Sequence, residues 1–192
     1  MRLIRTAFVL LAFFCYSSAS NANGIDLRLS SDAAELTFLS ESSTFGYGGA
    51  DIGFGVFFDD NDNLILNGNI IVSGSGLGNL PGLNFGVGIK AYAGTIDIIP
   101  SQTGGAVAIG VTGRYVIPGV VPMAVMVEAY VAPSVSSLAD FDGVSEFRVG
   151  LEVEVTPSPG AYVGYRDFEV DTNIKSGLKV DDAIHFGVRF SY

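Results

Sequence analysis

Apolar and polar residues alternate with a period of two over most of this sequence, and no sustained stretch has the period of an amphipathic helix. In residues 146–155 every odd position is apolar, whereas the even positions are charged residues or glycine. The segments 84–94, 105–116 and 183–192 repeat the arrangement. Because side chains alternate between the two faces of a β-strand, the pattern predicts strands with one apolar face and one face of charge and glycine.

Ten strands are predicted, and residues rich in Gly, Pro, Asn and Asp separate them. They lie at 24–30, 33–40, 50–58, 64–73, 84–94, 105–116, 123–132, 145–156, 161–170 and 183–192. Several have the length of roughly 9–11 residues with which a tilted strand crosses a bilayer. The predicted fold is all-β, a transmembrane antiparallel up-and-down β-barrel. The first two strands are short, so eight strands is the alternative count.

The alternation alone does not say which face is inside, because a soluble barrel buries its apolar face and a membrane barrel turns that face to lipid. The polar faces carry six basic and six acidic residues, although the chain as a whole has a net charge of -10. A narrow lumen must pair its charges to offset their desolvation. We therefore predict a lumenal ion-pair network of Arg28, Glu35, Lys90, Arg114, Glu128, Arg148, Glu152, Glu154, Arg166 and Arg189, with Asp26 and Glu146 on the same faces.

Residues 1–22 have the features of a cleavable signal peptide: a basic start, an apolar run at 7–16 and small residues before Ala22, with Ala19 as the alternative cleavage site. The apolar run is too short to cross a bilayer as a helix. Residues 23–192 are then a single barrel domain. Loss of Arg2 and Arg5 would leave 8 of the 10 basic residues against 20 acidic ones, a charge of -12, which argues against nucleic-acid binding. The one cysteine, Cys15, falls in the signal.

The last eight residues end on a pattern typical of outer-membrane proteins. Gly187, Phe190 and Tyr192 occupy the positions of glycine and aromatic residues in the C-terminal signal that barrels present to their assembly machinery. We expect an outer-membrane location, surrounded by lipid and lipopolysaccharide, as a monomer. Assembly would depend on the machinery that reads this last strand.

Asp59, Asn61 and Asn63 have the spacing that opens an EF-hand loop. Position six of that loop would be Leu64 instead of glycine, and position twelve would be Ile70 instead of glutamate. We interpret the segment as an Asp/Asn-rich hairpin turn. No metal site and no cofactor are expected.

His185 is the only histidine, so a hydrolytic triad would have to use it. We expect its side chain to point inward at the extracellular end of the last strand, near Asp181 and Asp182. Ser136 and Ser137 are the serines that could approach it. A lipid-modifying enzyme is a remote alternative, and we expect no enzymatic activity.

Five segments resemble the YfaZ family of outer-membrane proteins: 52–62, 86–94, 128–133, 162–166 and 185–189. The resemblance extends over essentially all of the chain after the signal. It implies an outer-membrane barrel and carries no catalytic residues.

Two functions remain open from the residues. The lumenal charges either pair and fill a structural barrel, or leave a narrow path for small solutes, which the many inward glycines would widen. The alternative from another class is a soluble periplasmic barrel that binds an apolar ligand. Segments 133–144 and 171–182 are expected to be long extracellular loops, and 117–122 and 157–160 to be short periplasmic turns.

Overall fold

The computed structural model describes residues 24–42, 50–75, 82–119, 121–154 and 160–191, which form one antiparallel sheet. The strands are β1 Gly24–Leu29, β2 Ala33–Ser42, β3 Ala50–Asp59, β4 Leu64–Ser75, β5 Leu83–Ile96, β6 Gln102–Ile117, β7 Met123–Ala132, β8 Ser137–Ala139, β9 Phe141–Glu154, β10 Gly160–Thr172 and β11 Leu178–Ser191. A 3-10 helix, Ser134–Ser136, precedes β8. Within the described part of the chain no helix is long and apolar enough to span a bilayer.

Ten of these strands close into a barrel. Strands β1 to β7 pair in chain order, β7 pairs with β9, and β1 pairs with β11 to close the ring. The three-residue β8 pairs with β6 at Gly104–Ala106, beyond the point where β7 ends, so it only lengthens the wall. The prediction of a ten-stranded antiparallel barrel is confirmed, and the eight-stranded alternative is wrong.

The pairing registers set the width of the barrel. A row of paired residues that starts at Leu29 reaches β5 at Leu83 in one direction and at Thr95 in the other, a stagger of twelve residues (95 less 83). For ten strands this stagger corresponds to a tilt of roughly 40° and a backbone radius of about 10 Å. Side chains that point inward can fill an interior of this width.

The barrel has two different ends. Gly24 and Ser191 pair at one end, which we call the terminal rim, and the opposite end is the far rim. The prediction of long loops at 133–144 and 171–182 is wrong, because strands cover parts of both segments. Strand β9 starts at Phe141, β10 continues to Thr172 and β11 starts at Leu178. In those segments Phe141, Val144, Leu178 and Val180 are buried inside the barrel and support strands, so the wall extends farther than the sequence pattern suggested.

The polarity of the two faces inverts along the strands that form this extension. On β10 the outward residues are apolar near the terminal rim, where Val163 and Tyr165 are exposed, and acidic near the far rim, where Asp167 and Glu169 stand. The inward face changes in the opposite sense, from buried Arg166 to buried Phe168 and Val170. The wall near the terminal rim therefore has the apolar outer face of a membrane barrel. The extension near the far rim has the polar outer face and apolar interior of a soluble protein.

The outer surface of the barrel is apolar near the terminal rim, and we call this part the lipid band. A group of outward-facing charged residues lies where the lipid band ends and the extension begins. The ammonium of Lys179 lies 2.6 Å from Asp182, 3.5 Å from Asp167 and 3.8 Å from Glu169. The hydrogen bond between Lys179 and Asp182 raises the pKa of Lys179. The same hydrogen bond and a second one, from the Tyr165 hydroxyl, lower the pKa of Asp182. Contact with lipid hydrocarbon would be energetically costly for these charged side chains, so we place them in water.

The inversion predicts a labelling boundary on the outer face of β10. With Cys15 replaced, Val163→Cys should resist a water-soluble maleimide in lipid vesicles, because its side chain faces acyl chains, whereas Glu169→Cys should react. Both residues point outward on one strand, so each is the other's control. Equal labelling of the two in folded protein would contradict the assignment of the lipid band.

Candidate functional site

A layer of paired charges crosses the lumen near the middle of the barrel. We call it the charge layer, and it consists of Arg28, Glu35, Lys90, Glu146, Arg148 and Arg166. The side chains come from β1, β2, β5, β9 and β10, so they approach from nearly all sides. Alternation places them inward, since each stands between two outward residues of its strand.

Arg166 lies at the centre of the charge layer and is almost completely buried. Its Nη1 is 3.0 Å from Oε2 of Glu35, and its Nη2 is 2.7 Å from Oε1 of Glu146. The guanidinium carbon lies 5.0 Å from the ring centre of Phe57 and 4.6 Å from that of Phe168. The two carboxylates and the two ring faces together offset the desolvation of this cation.

The two central carboxylates each receive several donors. Glu35 also accepts hydrogen bonds from Arg28 at 2.6 Å and from the Asn67 amide at 2.9 Å. Glu146 accepts from Lys90 at 2.7 Å and from the Tyr92 hydroxyl at 2.5 Å. Since charge-assisted hydrogen bonds in a low dielectric are strong, the layer holds itself together as one network.

Apolar side chains fill the barrel between the charge layer and the far rim. We call this group the plug, and its buried members are Phe57, Ile65, Tyr92, Ile96, Ala106, Ala108, Tyr130, Ala132, Phe141, Val144, Phe168, Val170, Leu178 and Val180. Phe57 meets Phe168 edge to face with ring centres 5.9 Å apart, and Tyr92 stacks on Phe168 at 5.6 Å. The plug thus occupies the interior on the far side of the charges.

The other half of the lumen holds a cavity of about 450 Å³. It lies between the charge layer and the terminal rim, with Gly24 and Asn84 among the residues that line it. A second ion-pair group borders it, in which Glu152 lies 3.3 Å from Arg114 and 3.8 Å from Arg189. The interior therefore has three levels: a cavity, a layer of charge and a plug.

The structure places nine of the ten residues of the proposed network in ion pairs inside the barrel; the side chain of Glu154 lies outside the described residues. Glu128 pairs with Arg148 at 2.6 Å, and Arg189 pairs with Asp26 at 3.0 Å. Of the terminal pattern, Phe190 faces outward and Tyr192 is outside the described residues.

Two inward glycines make room for tyrosine rings. Tyr162 lies opposite Gly187 on β11, and Tyr130 lies opposite Gly110 on β6. A methyl group added at either glycine would overlap the ring of its partner. The expectation that inward glycines widen a path is wrong at these two positions, because the rings occupy the space that the glycines leave.

Sequence reasoning missed the plug and one member of the network, Asp181, whose carboxylate lies 3.7 Å from Nη1 of Arg166. The signal for Phe168 was present, because it has the same parity on its strand as Arg166 and so had to point inward. Asp181 gave no such signal. A bulge between Phe168 and Glu169 shifts the register of β11 and brings both Val180 and Asp181 inside.

His185 does not stand at the end of its strand as expected, because β11 extends seven residues beyond it toward the far rim. Its buried ring lies 5.9 Å from that of Tyr162. The hydroxyls of Ser136 and Ser137 donate to the carbonyl of Pro133 in their own loop. The described residues contain no triad assembled from these groups.

The Asp/Asn-rich segment forms the hairpin turn between β3 and β4. The Asp59 carboxylate accepts hydrogen bonds at 3.0 Å from the backbone N–H groups of Asn61 and Asn63. Asp62 has a φ of 60°, in the left-handed region that Asp tolerates. The carboxylate that would open a calcium loop is thus engaged in closing a turn.

Removal of the central cation should destabilise the barrel strongly. Arg166→Met leaves Glu35 and Glu146 buried with one partner fewer each, so we expect a loss of about 3–5 kcal/mol. Lys179→Met removes an exposed cation whose ion pairs are screened by water, so it should have a far smaller effect on the free energy of unfolding. Urea unfolding in lipid vesicles measures both; equal losses would show that the central pairs do not carry the lumen's stability.

Two comparisons with known proteins gave matches. A family model described as "YfaZ precursor" matches residues 1–192. A solved structure, the outer membrane channel DcaP of Acinetobacter baumannii, is similar at 13% identity with a TM-score of 0.42, covering 87% of this chain and 54% of that one. The chain thus spans about half the length of that channel. Comparison with curated proteins gave no significant match.

Proposed function

This chain belongs to the YfaZ family, and we propose that it is an outer-membrane barrel with a closed lumen, structural in role rather than a channel. The observation that carries the proposal is the burial of Arg166 in contact with two carboxylates and with the rings of Phe57 and Phe168. A solute or ion on its way through the barrel would have to displace both the charge layer and the plug.

The energetics favour closure over conduction. Each carboxylate of the charge layer has several donors within hydrogen-bond distance, and separating them would leave buried charges without partners. Opening the plug would also expose the packed rings of Phe57, Tyr92 and Phe168 to water. A water-filled path would have to offset both costs.

The soluble alternative requires the opposite arrangement of faces. Side chains such as Leu27, Val87, Ile109 and Phe186 are exposed on the outside, while charged groups are buried within. A soluble monomer rarely exposes an apolar surface that continues around the molecule. The cavity is bordered by ion pairs, which does not suit an apolar ligand.

The proposal includes an orientation and partners. The terminal rim would face the periplasm, and the polar extension at the far rim would stand outside the cell among lipopolysaccharide. Phe190, exposed on the outer face of β11, would serve in recognition by the assembly machinery. No catalytic step is proposed, because His185 is buried in the wall beside Tyr162 and is remote from the far rim.

Conductance in planar bilayers tests closure. The wild-type barrel should insert without discrete openings. The double variant Phe57→Ala, Arg166→Ala removes one ring of the plug and the central cation, so we expect it to conduct. The matched control, Phe58→Ala with Tyr165→Ala, changes the outward neighbours of the same two residues and should stay silent. Regular unitary openings of the wild type would overturn the proposal in favour of a small-solute channel.

A further inference from the structure

The cavity on the terminal side of the charge layer has a lining unlike that of a simple void. Its 450 Å³ is large enough for an organic molecule of modest size. Five cationic and four anionic side chains line it, although the whole chain carries twice as many acidic as basic residues. The lining is thus enriched in positive charge relative to the rest of the protein.

The exposure of the paired groups increases this bias. The side chains of Arg114 and Arg189 are 30% and 29% exposed, while their partners Glu152 and Asp26 are only 5% and 3% exposed. These two carboxylates therefore stand behind their guanidinium groups. Two other carboxylates of the lining are more exposed: Glu128, which is 28% exposed and pairs with Arg148, and Asp51 near the terminal rim, which accepts a hydrogen bond from the Ser73 hydroxyl.

The lining also offers neutral polar groups. Thr37, Asn69, Asn84 and Thr112 contribute hydroxyl and amide groups. Tyr130 lines the cavity as well; it is 2% exposed, and its hydroxyl has no hydrogen-bond partner among the described residues. A buried hydroxyl without a partner is costly, and a bound ligand would supply the missing bond.

We propose that this cavity binds a small soluble organic anion, a phosphate monoester or a free carboxylate with a hydroxyl-bearing body, that enters from the terminal rim. Arg114 and Arg189 hold the anionic group, and the hydroxyl and amide groups of the wall bind the body. The inference rests on the proposed closed lumen, because a closed charge layer makes the cavity a blind site in place of a passage.

Calorimetric titration of the purified protein in zwitterionic detergent tests the site, with glucose 6-phosphate as the probe and glucose as its neutral twin. We expect saturable binding of the phosphate ester only, weakened as salt is raised. The double variant Arg114→Gln, Arg189→Gln should weaken binding at least about tenfold. Lys179→Gln, which removes a cation from the outer surface, should leave the affinity unchanged.

A variant that is expected to tighten binding shows whether the weaker binding of the arginine double variant is due only to a loss of folding. Glu128→Gln removes an acid of the cavity wall and releases Arg148, so binding should tighten by about threefold. Equal affinity for glucose, or no binding by folded wild type, would overturn the site. Displacement by phosphatidylglycerol added to the micelles would assign the cavity to a lipid headgroup and contradict a soluble ligand. A conducting wild-type barrel overturns the closed lumen instead, so the two failures are distinguishable.

Discussion

The charge layer and the plug are arranged around a buried cation, Arg166, whose side chain is only 1% exposed. Desolvation of an arginine and of the carboxylates beside it costs several kcal/mol per ion, and only close pairing offsets it. Glu35 and Glu146 provide that pairing on one side, and the faces of Phe57 and Phe168 cover the other. The plug and the charge layer therefore depend on each other.

The residues on the outer face of the barrel change from apolar to acidic along the same strands. Where lipid surrounds the barrel, apolar residues face out and charges pair within; where water surrounds the extension, the acidic residues face out and Phe168 and Val170 pack within. The inversion lies close to the charge layer. The change from a lipid-facing to a water-facing wall thus coincides with the change from a polar to an apolar interior.

The alternation of residues predicted most of the fold because strand parity is a local property. Each of the ten strands was placed to within a few residues at its terminal side, and parity alone brought Arg28, Glu35 and Arg166 to one face. The far ends of β9 to β11 were misjudged, since the acidic outward residues there resemble a loop until their inward neighbours are known to be buried. The short strand β8, which pairs with β6, and the inward position of Asp181, which follows from a bulge, depend on features of register that the sequence does not display.

Exchange of guanidinium protons with water, followed by NMR on the protein in detergent micelles, tests the closed interior most directly. The Nε–H of Arg166 should exchange slowly, because the ring faces and carboxylates keep water away, while that of Arg114, which borders the cavity, should exchange fast in the same sample. Rapid exchange of both would mean that water reaches the charge layer, which would contradict a lumen closed by paired charge and an apolar plug.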